Sequence, residues 1–72
     1  MARHDFRSMS MEAASAAFPI GTPVRYYLVR GCQSFVRTFV RSEPWALGDG
    51  EVVIKIAGRA GGVAVSHLAR VA

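Results

Sequence analysis

The chain has 72 residues, of which 51% are hydrophobic and 19% are charged. This composition is typical of one small globular domain and excludes a multidomain enzyme and a disordered chain. Nine basic and five acidic residues give a net charge of +4, and a single cysteine excludes an internal disulfide framework. The sequence has no zinc-ligand spacing, P-loop or dinucleotide fingerprint, so we expect no metal and no cofactor.

The small size of the domain favours self-association. A chain of this length buries only about 60% of the surface that its unfolded form exposes. Without a disulfide or a metal, such a domain often gains stability from a second copy, and we expect a homo-oligomer. The lone Cys32 suits a reducing compartment, and no apolar run is long enough to span a bilayer. We therefore predict a cytoplasmic protein with no membrane partner.

Residues 1–18 differ in composition from the rest and are predicted to form an N-terminal tail. Ser8 or Ser10 can cap a short alanine-rich helix over residues 11–17. Two turns of helix are too few to be stable alone in water, so we expect a mobile tail before a folded domain at residues 19–72. Translation that begins at Met9 or Met11 is an open alternative.

The remainder of the chain has the pattern of short strands. Glycine-rich turns are predicted at residues 48–50 and 58–62, and a single helical turn at residues 66–68. Strand patterns occupy residues 24–29, 34–42, 52–57, 63–66 and 70–71. The run at 52–57 is the most apolar and is predicted to be a central strand. We therefore predict an all-β domain, in which four to five antiparallel strands close into a small barrel and hide the sheet edges.

Two resemblances follow from these patterns. The order of strands, with a helical turn before a last short strand, resembles the SH3-like barrel over residues 20–72. The runs at residues 41–50 and 58–68 resemble small uncharacterised proteins of bacteria and of their phages or mobile elements. The second resemblance implies a bacterial accessory gene and brings no activity with it.

The first candidate site is an alternation of aromatic and basic residues along the strand at 34–42. Alternate residues of a strand share a face, and such rings and guanidinium groups can stack on bases and contact phosphates. The alternative is that the phenylalanines pack inward, against the N-terminal segment or against a second subunit. The exposure of Phe35 and Phe39 distinguishes the two. The predicted nucleic-acid-binding residues are Arg25, Tyr27, Phe35, Arg37, Phe39 and Arg41.

The second candidate is Pro44 with Trp45, in the long connection at residues 43–50. An aromatic side chain in such a loop can form a groove for a protein or peptide partner. Glu43 and Asp49 are its acidic neighbours. The alternative is that Trp45 only covers one end of the barrel.

The sequence evidence for catalytic residues is weaker than the evidence for the two binding sites. Type II dihydrofolate reductases are SH3-like chains that form a tetramer around a shared pore lined by a Val-Gln-Ile-Tyr run. The nearest run here is Val63-Ala64-Val65-Ser66, which lacks the glutamine and the tyrosine. Ser66, His67 and Asp49 have the residue types of a catalytic triad. Ser66 and His67 are adjacent in sequence, however, and adjacent side chains on a strand point to opposite faces, so these two would not hydrogen-bond to each other. We therefore expect no catalytic residues and predict a non-enzymatic, self-associating binding module. Nucleic-acid association is the first alternative, and the reductase is the second.

Overall fold

The protein is described here by a computed structural model that covers residue 4 and residues 6–71. The strands form two three-stranded antiparallel sheets, with strand orders β2-β1-β6 (the first sheet) and β3-β4-β5 (the second sheet). The elements in chain order are α1 (Met11–Ala17), β1 (Pro23–Tyr26), β2 (Val36–Phe39), β3 (Trp45–Ala46), β4 (Val52–Ile54), β5 (Val63–Ala64), a 3₁₀ turn (Val65–His67) and β6 (Leu68–Arg70).

The prediction of a mostly β fold is confirmed, but the strands are shorter and more numerous than predicted. The described residues form six strands, because Trp45 and Ala46 pair with β4 inside the stretch that was expected to be a loop. The strands observed within the predicted strands 34–42 and 52–57 end at Phe39 and Ile54, before the predicted ends. Beyond these strand ends, the two segments pair with each other through an isolated bridge between Val40 and Ile56. We call residues 39–41 and 55–57 the seam, since they join the two sheets.

The core lies between the two sheets. Its most deeply buried large side chains are Ile54, Ile56, Val24, Val40 and Val65. All are β-branched, which suits them to a packed, pleated surface. All three residues of β4 are buried, and β4 is the middle strand of its sheet. The prediction of a central strand here is confirmed.

The helix is confirmed at residues 11–17, and it packs on the sheets. The Ser10 hydroxyl caps it by accepting from the Ala13 N–H at 3.1 Å. Ala14 and Phe18 are 0% and 2% exposed and belong to the core. This packing supplies the tertiary support that a seven-residue helix needs. The described part of the expected tail is thus packed into the domain, while residues 1–3 and 5 lie outside the described residues. Across residues 4 and 6–71, no helix is long and apolar enough to cross a bilayer.

One glycine is required by close packing between the strands. A Cβ at Gly62 would lie 2.8 Å from two ring carbons of Trp45. We predict that Gly62→Ala destabilises the domain by about 1–3 kcal/mol, because the ring has to move out of contact. Urea unfolding monitored by tryptophan fluorescence measures the change. Gly48→Ala is the matched control, since nothing lies within 4 Å of its Cβ position. Equal stability of the two variants would contradict the prediction.

Candidate functional site

The pairing of β1 with β2 determines which of their side chains point away from the core. Val24 pairs with Thr38 and Tyr26 with Val36, while Arg25 lies directly opposite Arg37. Val24 and Tyr26 are buried, so their partners share the inner face and the two arginines project outward. We call the outward surface of the first sheet the outer face. Its residues from β1, β2 and the adjoining loop are Pro23, Arg25, Phe35, Arg37 and Phe39.

The two phenylalanines of the outer face are open to solvent. Phe35 is 41% exposed and Phe39 is 48% exposed. Neither ring therefore belongs to the core of its own chain, and the described part of the N-terminal segment does not bury them. Exposed aromatic rings beside cationic groups are what a base-stacking surface needs. The Phe35 ring also contacts the Arg25 guanidinium, at 4.8 Å, and the Tyr27 ring, at 5.4 Å and 53°, so a base can reach only its remaining open side.

The charge of the first sheet is entirely positive. Residues 13–42 contain four arginines and no acidic residue, and neither β1, β2 nor β6 carries a carboxylate. Like charges placed directly opposite each other destabilise a strand pair. The guanidinium carbon of Arg25 lies 4.8 Å from the centre of the Phe35 ring, and its Nε is buried with no hydrogen-bond partner. A bound anion would relieve the repulsion between the two guanidinium groups through their exposed donors.

Tyr27 differs from the prediction, because it is buried and already stacked. Only 6% of it is exposed. The His4 ring lies parallel to it at 4.1 Å and 8°, and Phe6 meets it edge-on at 5.9 Å. His4 Nε2 donates to the Ser66 carbonyl at 2.9 Å, which fixes the histidine in place. The His4 ring therefore occupies the position in which a base would stack on Tyr27. No sequence signal links His4 to Ser66, 62 residues away.

Arg41 lies beside two cations that the sequence patterns did not single out. It lines a cleft of about 550 Å³ at the seam, together with Lys55 and Arg59. We call this the seam cleft. Its other lining residues are Ser42, Ile56, Ala60 and Gly61. The site residues predicted on one strand are thus divided between the outer face and this cleft.

Pro44 and Trp45 do not form a common groove. Pro44 is buried and lines a small pocket of about 190 Å³ with Phe18 and Ile20. The Trp45 ring lies on Gly62, against the second sheet, and the residue is 37% exposed. The two side chains therefore lie at different surfaces of the domain.

Two of the residues with the types of a catalytic triad, His67 and Asp49, make side-chain hydrogen bonds to the backbone. His67 Nδ1 donates to the Tyr27 carbonyl at 2.6 Å, and Asp49 accepts from the Glu51 N–H within its own turn. Hydrogen bonds from the backbone and side chain of Ser34 lower the pKa of the exposed Cys32 thiol. Among the residues that the structure describes, no three His, Cys, Asp or Glu side chains converge on a possible metal position.

Comparison with protein-family models, curated proteins and solved structures finds no match to this chain. Function is therefore inferred from the chemistry of its own side chains. The outer face presents aromatic rings beside guanidinium groups, and the seam cleft gathers cations. Both arrangements suit a ligand that is negatively charged, and the outer face also suits one that carries flat rings.

Proposed function

We propose that this protein is a small binding module without catalytic activity, which associates with single-stranded nucleic acid through the outer face. The observation that carries this proposal is the exposure of Phe35 and Phe39 on the same face as the opposed pair Arg25 and Arg37. Tyr27 is not included in the interface, since His4 covers its ring.

The outer face has the two elements that single-strand binding requires. Phe35 and Phe39 are four residues apart, which is about 13 Å along an extended chain. Each exposed ring can stack on one base, at about 1–3 kcal/mol per base. The arginines between and beside the rings can contact the phosphates that link those bases. Such a surface binds many sequences, because every base has a stacking face.

The charge pattern favours a polyanion over a second copy of the chain on this face. In a two-fold dimer the same patch meets itself, so Arg25 and Arg37 would approach the same arginines of the other copy. No carboxylate on the strands of the first sheet would offset that repulsion. The self-association expected from the chain length stays a prediction for another surface. Light scattering across a range of protein concentrations measures it.

We also propose that the two sheets form an SH3-like barrel of a bacterial or phage accessory protein. The 3₁₀ turn at Val65–His67, immediately before β6, supports the barrel, as does the bridge between Val40 and Ile56. SH3-like barrels host many unrelated activities, so this architecture by itself does not choose the ligand. The choice of nucleic acid depends on the outer face alone.

Fluorescence anisotropy with a labelled short single-stranded oligonucleotide tests the proposed function. We expect saturable binding at low salt and micromolar protein. If Arg25 and Arg37 each neutralise one phosphate, the outer face contributes a slope of about −1.4 to the fall of the logarithm of the association constant with the logarithm of salt. No change in anisotropy at low salt would overturn the proposal, and so would binding that is insensitive to salt.

A further inference from the structure

We propose that the seam cleft is a binding site for a phosphate group, held by Arg41, Lys55 and Arg59. The cleft belongs to the junction of the two sheets and not to the outer face. Its phosphate chemistry follows from its own residues. The identification of a nucleic-acid backbone as the source of that phosphate rests on the proposed function.

One hydrogen bond between backbone groups and one to a serine side chain hold Arg41 and Lys55 next to each other. The Arg41 N–H donates to the Lys55 carbonyl at 2.8 Å. The Lys55 N–H donates in turn to Ser42 Oγ at 3.0 Å. These contacts hold neighbouring stretches of the two sheets in register across the seam. The side chains of Arg41 and Lys55 therefore enter the cleft from a rigid frame, which lowers the cost of ordering them on binding.

Arg59 approaches the cleft from the turn between β4 and β5. Gly58 and Gly61 have φ angles of +86° and +73°, a conformation that favours glycine and that bends the chain back at this point. The guanidinium carbon of Arg59 lies 5.1 Å from the centre of the Tyr26 ring. Tyr26 lines a second pocket, which shares Arg59 and Ala60 with the seam cleft, so Arg59 lies at the boundary between the two. A contact with an aromatic ring does not pair the charge of a guanidinium, and its N–H donors can still bind an anion.

The cleft concentrates positive charge with no negative charge in its lining. Three of its seven lining residues are cationic and none is acidic. Glu43, the next residue after Ser42, lines the separate pocket beside α1. Planar guanidinium groups and an ammonium match the several oxygens of a phosphate better than the two of a single carboxylate. The volume of about 550 Å³ admits a phosphate together with an attached sugar.

The position of Arg41 connects the cleft to the outer face. It follows the last residue of β2, Phe39, by two positions. A single strand stacked on the two phenylalanines can therefore direct its next phosphate into the cleft. The alternative source with the same chemistry is a free phosphate or a small phosphate ester.

Amide chemical shifts of the full chain, titrated separately with inorganic phosphate and with a single-stranded oligonucleotide, distinguish these sources. We expect shifts at Ser42, Ala60 and Gly61 with both ligands. Shifts there with phosphate but not with the oligonucleotide would support the cleft and assign it to a free phosphate. No shift at these residues with either ligand would overturn the cleft as a phosphate site. The proposed function is tested separately by the amides of residues 35–39, and no shift of these amides with the oligonucleotide would contradict it.

A matched pair of charge variants tests the contribution of the cleft. Lys55→Gln is expected to weaken phosphate binding about threefold to fivefold, while Arg70→Gln leaves it unchanged. Both positions are exposed and both variants lose one charge, but Arg70 is outside the cleft. For the oligonucleotide, Lys55→Gln should also reduce the steepness of the salt dependence by about 0.7. Equal affinities of the two variants for both ligands would overturn the proposal. Such a result would show that Lys55 contributes only as much as any other charge on the surface.

Discussion

The double variant Phe35→Ala/Phe39→Ala is expected to bind a single-stranded oligonucleotide at least about 30-fold more weakly than the wild type. Each base stacked on an aromatic ring contributes about 1–3 kcal/mol, so the loss of two rings removes about 2 kcal/mol at the lower limit. The arginines of the outer face are unchanged in this variant. Fluorescence anisotropy at one low salt concentration measures the affinity, and a salt titration should return the wild-type slope.

The control for this variant removes two apolar side chains that are more exposed than the phenylalanines and lie on other surfaces. Ile20 and Val29 are 63% and 62% exposed and are outside the outer face. Ile20→Ala/Val29→Ala should bind the oligonucleotide as the wild type does. Circular dichroism establishes that both double variants are folded. Wild-type affinity in Phe35→Ala/Phe39→Ala would contradict stacking on these rings, whereas a parallel loss in both variants would show that the effect is not specific to the outer face.

Local sequence patterns predicted those parts of the fold that depend on neighbouring residues. Ser10 and the alanines after it specify the helix at residues 11–17, and the turn before β6 lies within one residue of its predicted position. Period-two alternation also placed Arg37 and Phe39 on the side of β2 away from Val40. These features follow from backbone preferences and from strand geometry, which a sequence displays directly.

The features that the sequence did not predict depend on contacts between distant residues. β3 exists because Trp45 pairs with Val53, and a two-residue strand has no pattern of its own. Lys55 is a single cation in an apolar run, and Arg59 is one residue of a turn. Only the seam brings these two side chains to Arg41. Residue spacing carries no signal for such a cluster, since the pairing of the two sheets creates it.

The N-terminal segment leads to the prediction with the largest effect on stability. Composition favoured a mobile tail, yet the Phe18 side chain at its end is 2% exposed and the Ala14 side chain is fully buried. Phe18→Ala is expected to destabilise the domain by about 3–5 kcal/mol, because it leaves a cavity where the helix meets the sheets. That is most of the stability of a small domain, so a large unfolded fraction is expected without denaturant.

Urea unfolding of Phe18→Ala, compared with Phe39→Ala, isolates the effect of burial. The chemical change is the same, but Phe39 is 48% exposed, and its replacement should cost less than about 1 kcal/mol. If Phe18→Ala does not fold, Phe18→Leu keeps the comparison measurable, since the smaller loss of volume leaves a smaller cavity. Equal stability of the Phe18 and Phe39 variants would show that residues 1–18 are detached in solution. A selective loss at Phe18 would show that the folded unit begins before residue 19, because the helix then closes one side of the core.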